Sequence, residues 1–209
     1  MYVLSHPVKV SGMSMESTDN FNVSKLSQKI DRSKHKEMKM AITHAQFSYV
    51  KPLILKLEGD KETDNAHDYG GKTKYGLSQR EYPNLDLDNL GETKAFLILE
   101  TDYWEKYHLS QLENQAIATQ LFFMFVNMDP VHAALIVQVS INACGKGIVQ
   151  VKLDGVMGSD TIRALNTLSD QWLSNRIRLE TIRYYLHEVD KDPSQEVNLR
   201  GWVRRALEQ

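Results

Sequence analysis

The 209-residue chain has a single cysteine, Cys144, so it carries no internal disulfide framework. That thiol falls in an apolar helical pattern and reads as a small core residue, with no feature of a cysteine-peptidase nucleophile. The seven histidines show no metal-ligand spacing, and there is no His-Glu-x-x-His. A zinc amidase is therefore disfavoured, and neither a metal nor a cofactor is expected. No run is long and apolar enough to span a bilayer, so no membrane insertion is expected. Residues 1–12 contain His6, Pro7 and Lys9 and lack an apolar core segment, so no signal peptide is expected. Neither sign of charge dominates: 25 Lys and Arg against 27 Asp and Glu leave a formal net charge of −2. No basic stripe appears, so no nucleic-acid partner is expected.

What the chain does have is helical periodicity. It is 42% apolar, enough for one substantial core or a core with a small satellite. Residues 1–40 are polar and without sustained period, and read as a disordered arm or a mis-assigned start, with a docking arm as the less favoured alternative. A first helix is expected over residues 43–58, with Pro52 bending it or marking a late first turn. Ser78 and Glu81 form a capping-box pattern for a short helix closed by Pro83, and Ser110 with Glu113 form a second. An amphipathic helix is expected over 93–107, and a very apolar one, central and buried on most sides, over 116–128. Asp129-Pro130 supplies the N-cap and first position of the next helix, which Gly145 ends. Residues 149–156 are the one strand-like run, suited to a short hairpin or an extended link. Helices over 160–168, 170–189 and 195–207 complete the chain, with Pro193 breaking the last pair.

One long irregular segment interrupts this pattern. Phe47, Val50, Ile54 and Leu57 recur at helical spacing and form a buried stripe. Glu58 follows at its edge, where Gly59 ends the helix. A carboxyl half in a core and half in a cleft has its pKa raised by desolvation, which suits a general acid. The loop behind it is polar and punctuated by Gly70, Gly71 and Gly76. Asp60, Asp64 and Asp68 are candidate second carboxylates; Thr73 and Tyr75 offer hydroxyls. Long structureless loops within a domain tend to be functional.

Glu58-Gly59, followed by Asp68-x-Gly70-Gly71-x-Thr73-x-Tyr75-Gly76-Leu77-Ser78-Gln79-Arg80, resembles the signature of glycoside hydrolase family 108. These are bacterial and prophage N-acetylmuramidases of endolysin type, once labelled secretion activator proteins. The resemblance implies a mainly α, lysozyme-like α+β fold: a helical bundle with one long active-site loop and at most a short β-hairpin. It places the catalytic acid on Glu58. Asp60 and Lys61 stand where the family has Gly and Tyr. The fifteen positions from Glu58 to Thr73 match the Glu-Asp-Thr arrangement of phage-type lysozymes.

Further on, Asp154-Gly155-Val156-Met157-Gly158-Ser159-Asp160-Thr161 looks like the repeat element of peptidoglycan-binding modules. Gly201-Trp202-Val203-x-Arg205 is similar to the closing motif of the type 3 module that accompanies this hydrolase family. The Asp-Gly element has a structural reading, a tight turn and helix cap, beside a glycan-contacting one.

The expected organisation is an N-terminal extension (1–40), a lysozyme-like catalytic domain (41–128) and a peptidoglycan-binding helical domain (129–209). The expected function is hydrolysis of the β-1,4 bond between N-acetylmuramic acid and N-acetylglucosamine. Glu58, Asp68 and Thr73 are the catalytic candidates, although Asp68 has an equal reading as a brace for the glycine turn. Tyr75, Gln79, Trp104 and Asn127 are the substrate-binding candidates, with core packing as the other reading of Trp104. The alternatives are a lytic transglycosylase acting on the same bond, or a non-catalytic wall-binding or secretion-accessory protein. The partner is the glycan strand, reached through a holin or a dedicated export route, as the resemblance implies for a wall enzyme made in the cytoplasm without a signal peptide.

Overall fold

The computed structural model describes residues 44–57, 63–64 and 72–208. Glu58, Gly59, Asp60, Lys61, His67, Asp68, Gly70 and Gly71 lie outside the described residues, as does the arm over 1–40.

The chain is mainly helical, as expected. A 3-10 turn, Phe47–Tyr49, leads into α1, Lys51–Leu57. Pro52 sits in the first turn of α1, where its missing N–H has no intrahelical partner to lose. The break at Val50 shortens the single helix expected over 43–58, but Phe47, Val50 and Ile54 still face the core. Helix α2, Glu92–Leu99, runs into a π-helical segment, Glu100–Glu105, that turns Tyr103 and Trp104 inward. Helix α3, Gln115–Asn127, is the buried centre. Its N-cap is Asn114, whose side chain accepts from the N–H groups of Ala116 and Ile117. The Ser110/Glu113 capping box does not form: Ser110 donates to the Glu105 carboxylate instead.

Helix α4, Pro130–Cys144, starts as expected, with Asp129 accepting from the N–H groups of Val131 and His132. It ends at Gly145. Helices α5 (Ser159–Leu168), α6 (Gln171–Lys191) and α7 (Glu196–Glu208) follow, with a 3-10 turn at Pro193–Gln195 before α7. Residues Thr43–Gln209 form one compact unit. A continuous core runs from Ala45 and Phe47 through α3 and α4 to Leu173 and Ile177. Cys144 is half-buried at its edge, and burial pushes its thiol pKa up.

Two local expectations are corrected. Of the two forms expected for the strand-like run at 149–156, the hairpin does not form, and the run is a connecting link without strand pairing. Asn142 on α4 takes the place of a neighbouring strand: its amide donates to the Val151 carbonyl and accepts from the Val151 N–H, both at 2.8 Å. The short helix after Ser78 is also absent. Ser78 does accept from the Glu81 N–H at 3.2 Å, as a cap would. However, the Gln79 amide nitrogen takes the carbonyls of Tyr82, Pro83 and Leu85, at 3.0–3.1 Å. Side-chain bonds of this kind offer the backbone an alternative to a helix.

The strands lie within the active-loop segment. β1 (Thr63–Asp64), β2 (Lys72–Lys74) and β3 (Leu77–Ser78) form an antiparallel sheet in the order β1-β2-β3. Tyr75 and Gly76 make the turn between β2 and β3, at φ 56° and 81°. Two positive φ values give the turn whose twist matches a hairpin. A non-glycine residue rarely adopts the first of them. The Tyr75 ring offsets that strain by burial, edge-on to Phe96 with centroids 6.3 Å apart.

The Asp154-Gly155 element adopts the tight turn. Gln138, buried on α4, accepts from the N–H groups of Asp154 and Gly155 and donates to the Asp154 carboxylate and the Val156 carbonyl. That bond holds the Asp154 carboxyl below the usual carboxylate range. Gly155 has φ +70°, and a Cβ there would sit 2.6 Å from Val131 Cγ1. Gly155→Ala is therefore expected to destabilise the protein by about 1–3 kcal/mol. A lower urea midpoint at unchanged slope is the measurement.

Candidate active site

Alternation along the hairpin gives it two faces. Thr73 is paired across the sheet with Ser78, and both open onto a groove of about 780 Å³. Leu77 points the other way and is fully buried. Lys72 pairs with the Asp88 carboxylate and Lys74 donates to the Asp88 carbonyl, so both lysines tie the hairpin to the following loop.

One bank of the groove is this hairpin and the turn after it: Thr73, Gly76, Ser78, Arg80 and Glu81. Its end is the α3–α4 junction, with Asn127, Met128 and Asp129. The other bank is the C-terminal half of α6, the connector and α7, contributing Tyr184, Tyr185, Glu188, Asp192, Trp202 and Arg205. The groove is therefore built from segments more than a hundred residues apart in the chain.

The far bank is aromatic. The Tyr185 and Trp202 rings lie 5.2 Å apart, tilted by 31°, and Tyr184 sits 5.8 Å from Tyr185 and 5.3 Å from His132. Burial pushes the Tyr185 phenol up to about 12, with the neighbouring Arg205 guanidinium opposing that rise. Burial, with Glu188 and Asp129 nearby, also raises Tyr184. Both phenols are thus neutral hydrogen-bonding groups near neutral pH.

Three of the acids lining the groove have partners of their own. Asp129 caps α4 and lies 3.2 Å from His132 Nδ1. Glu188 pairs with Lys191 at 2.9 Å. Asp192 accepts from the Ser194 N–H and hydroxyl.

Of the substrate-binding and catalytic candidates, Thr73 and Asn127 line this groove together. The Asn127 amide donates to the Phe123 carbonyl one turn back, which fixes its orientation. Tyr75 and Trp104 are core residues. Trp104 is 1% exposed and packs between Phe47 and Phe122, at 5.8 and 6.3 Å between ring centroids. Gln79 spends its amide on the turn described above. Glu58 and Asp68 lie outside the described residues; Glu58 follows directly on Leu57, the last residue of α1. Sequence reasoning singled out Trp202 and Arg205 only as part of a closing motif. It missed Tyr184, Tyr185 and Glu188, whose one signal is an aromatic pair within a long helix.

No helix among the described residues is long and apolar enough to cross a membrane. Comparison with known proteins gives the same two-part picture as the motifs. Residues 52–128 match the Glycosyl hydrolase 108 family, and residues 132–207 match the family described as Predicted Peptidoglycan domain. No curated protein matches the chain. Among solved structures it is similar to one titled "Structure of Brucella abortus SagA", at 19% identity and a TM-score of 0.63. That alignment covers 78% of this chain and 90% of the other, and at such identity it speaks for the fold. The groove is thus lined from both matched segments, residues 52–128 matching the Glycosyl hydrolase 108 model and residues 132–207 the Predicted Peptidoglycan domain model, and together the two matches support a glycoside hydrolase that acts on peptidoglycan.

Proposed function

We propose that the protein is an N-acetylmuramidase that hydrolyses the β-1,4 bond between N-acetylmuramic acid and N-acetylglucosamine. The observation that carries this reading is the open groove with Thr73 on one bank and an aromatic wall on the other. A pyranose ring has flat C–H faces that suit Tyr184 and Trp202. Residues 41–128 supply the reacting groups, and residues 129–209 supply the opposite wall.

Glu58, the residue after Leu57 in the sequence, acts as the general acid and protonates the leaving glycosidic oxygen. Thr73, with Asp68 as the acidic loop partner, holds the water that attacks the oxocarbenium-like centre. The separation of the two carboxyl groups sets the stereochemistry: about 6.5–9.5 Å for inversion, about 5–5.5 Å for retention. Thr73 is half-buried and held in strand register, so its hydroxyl is positioned by the backbone and not by its own rotamer alone. Delivery to the wall through a holin or a dedicated export route belongs to the same proposal.

Mass spectrometry of digested sacculi tests it. Products ending in reducing N-acetylmuramic acid are expected. Anhydro-muramyl ends would replace hydrolysis by transglycosylation, and release of no sugar ends with retention on sacculi would leave a wall-binding protein.

A further inference from the structure

Arg205 sits on α7 and opens onto the groove. Its Nε is buried and has no hydrogen-bond partner among the described residues. A buried donor without a partner is uncommon in folded proteins. None of the four acids lining the groove, Glu81, Asp129, Glu188 and Asp192, accepts from that Nε; Asp129 caps α4, Glu188 pairs with Lys191, and Asp192 holds Ser194. Tyr185 beside it carries no charge near neutral pH. The groove therefore holds a guanidinium whose buried Nε has no acceptor among the described residues, set beside the Tyr185–Trp202 pair.

A guanidinium presents a planar fork that matches a carboxylate. The N-acetylglucosamine units of a wall glycan carry no charge. Carboxylates enter at the muramyl side arm: as the lactyl group where no peptide is attached, or on the stem peptide where one is. Resting on the peptidoglycan reading above, we infer that Arg205 binds a carboxylate of the muramyl side arm, and so sets which sugar of the alternating strand lies against the aromatic wall. Arg205 is a binding and register residue. It takes no part in the proton transfer assigned to Glu58.

The test uses the full chain carrying Glu58→Gln, so that ligands stay intact, and calorimetric titration of three probes. These are a stem-peptide-bearing muropeptide tetrasaccharide, its peptide-free counterpart, and an N-acetylglucosamine tetramer. Arg205→Gln is expected to weaken binding of at least one muramyl probe about tenfold or more, the scale of a charge-assisted hydrogen bond. The N-acetylglucosamine tetramer should bind unchanged. Loss on the peptide-free probe alone assigns the lactyl carboxylate, and loss on the peptide-bearing probe alone assigns the stem. Arg205→Lys, which keeps the charge without the fork, should show a smaller loss on the same probe, and it carries the comparison if the Gln variant does not fold. Equal weakening of all three probes, or none of any, overturns the inference. Either result leaves the muramidase reading standing if wild-type protein still releases reducing muramyl ends. Loss of those ends in the wild type would overturn that reading separately.

Discussion

Glu58→Gln is expected to leave the protein folded and to abolish clearing of a peptidoglycan zymogram. The substitution is nearly isosteric and removes only the transferable proton. General acid catalysis contributes about 10²–10⁴-fold, so lysis should fall by at least that range. The position accounts for the size of the effect. Val50 and Ile54 are essentially fully buried, so α1 is anchored to the core one turn before its end. Glu58 follows that helix in sequence, and the expected loss rests on the general-acid role proposed for it. Thermal unfolding should coincide with wild type. Undiminished clearing by the variant would remove Glu58 from the mechanism and move the search to the loop carboxylates.

Trp104→Ala is the second large effect, on stability. Trp104 is enclosed by Phe47 and Phe122, whose rings also lie 5.6 Å from each other. Truncating a fully buried Trp or Phe to Ala costs about 3–5 kcal/mol, because the cavity collapses only in part. For a unit of this size each kcal/mol lowers Tm by roughly 2–4 °C. The expected fall is therefore on the order of 6–20 °C, read by calorimetry, with glycan binding unchanged per folded molecule. A variant of normal Tm that had lost affinity for muropeptides would place Trp104 at the substrate instead.

The helices were readable because their ends carry chemistry. Asp129-Pro130 opens α4, Gly145 closes it, and Pro193 separates α6 from α7. The sheet was not readable. Its strands are two or three residues long, too short for alternation to show, and its turn uses Tyr75-Gly76 where Asn-Gly or Asp-Gly would have been the signal. That turn is stable because a ring is buried elsewhere, which is tertiary information.

The site was half legible for a similar reason. Motif spacing pointed to Thr73 and its loop. Helical period placed Tyr184, Glu188 and Arg205 on helices, but nothing local tells which face of a helix meets a hairpin more than a hundred positions earlier. Trp104 and Tyr75 show the converse. Aromatic residues near a motif attract a sugar-stacking role, and here both are needed first by the core.

The shared groove also bears on how such enzymes change. One bank is lined by residues in the segment that matches the hydrolase family, and the other by residues in the segment that matches the peptidoglycan domain family. A chimera that exchanged residues 129–209 for an unrelated wall-binding module would keep its nucleophile geometry yet lose half of its channel. Tethering alone would not restore turnover.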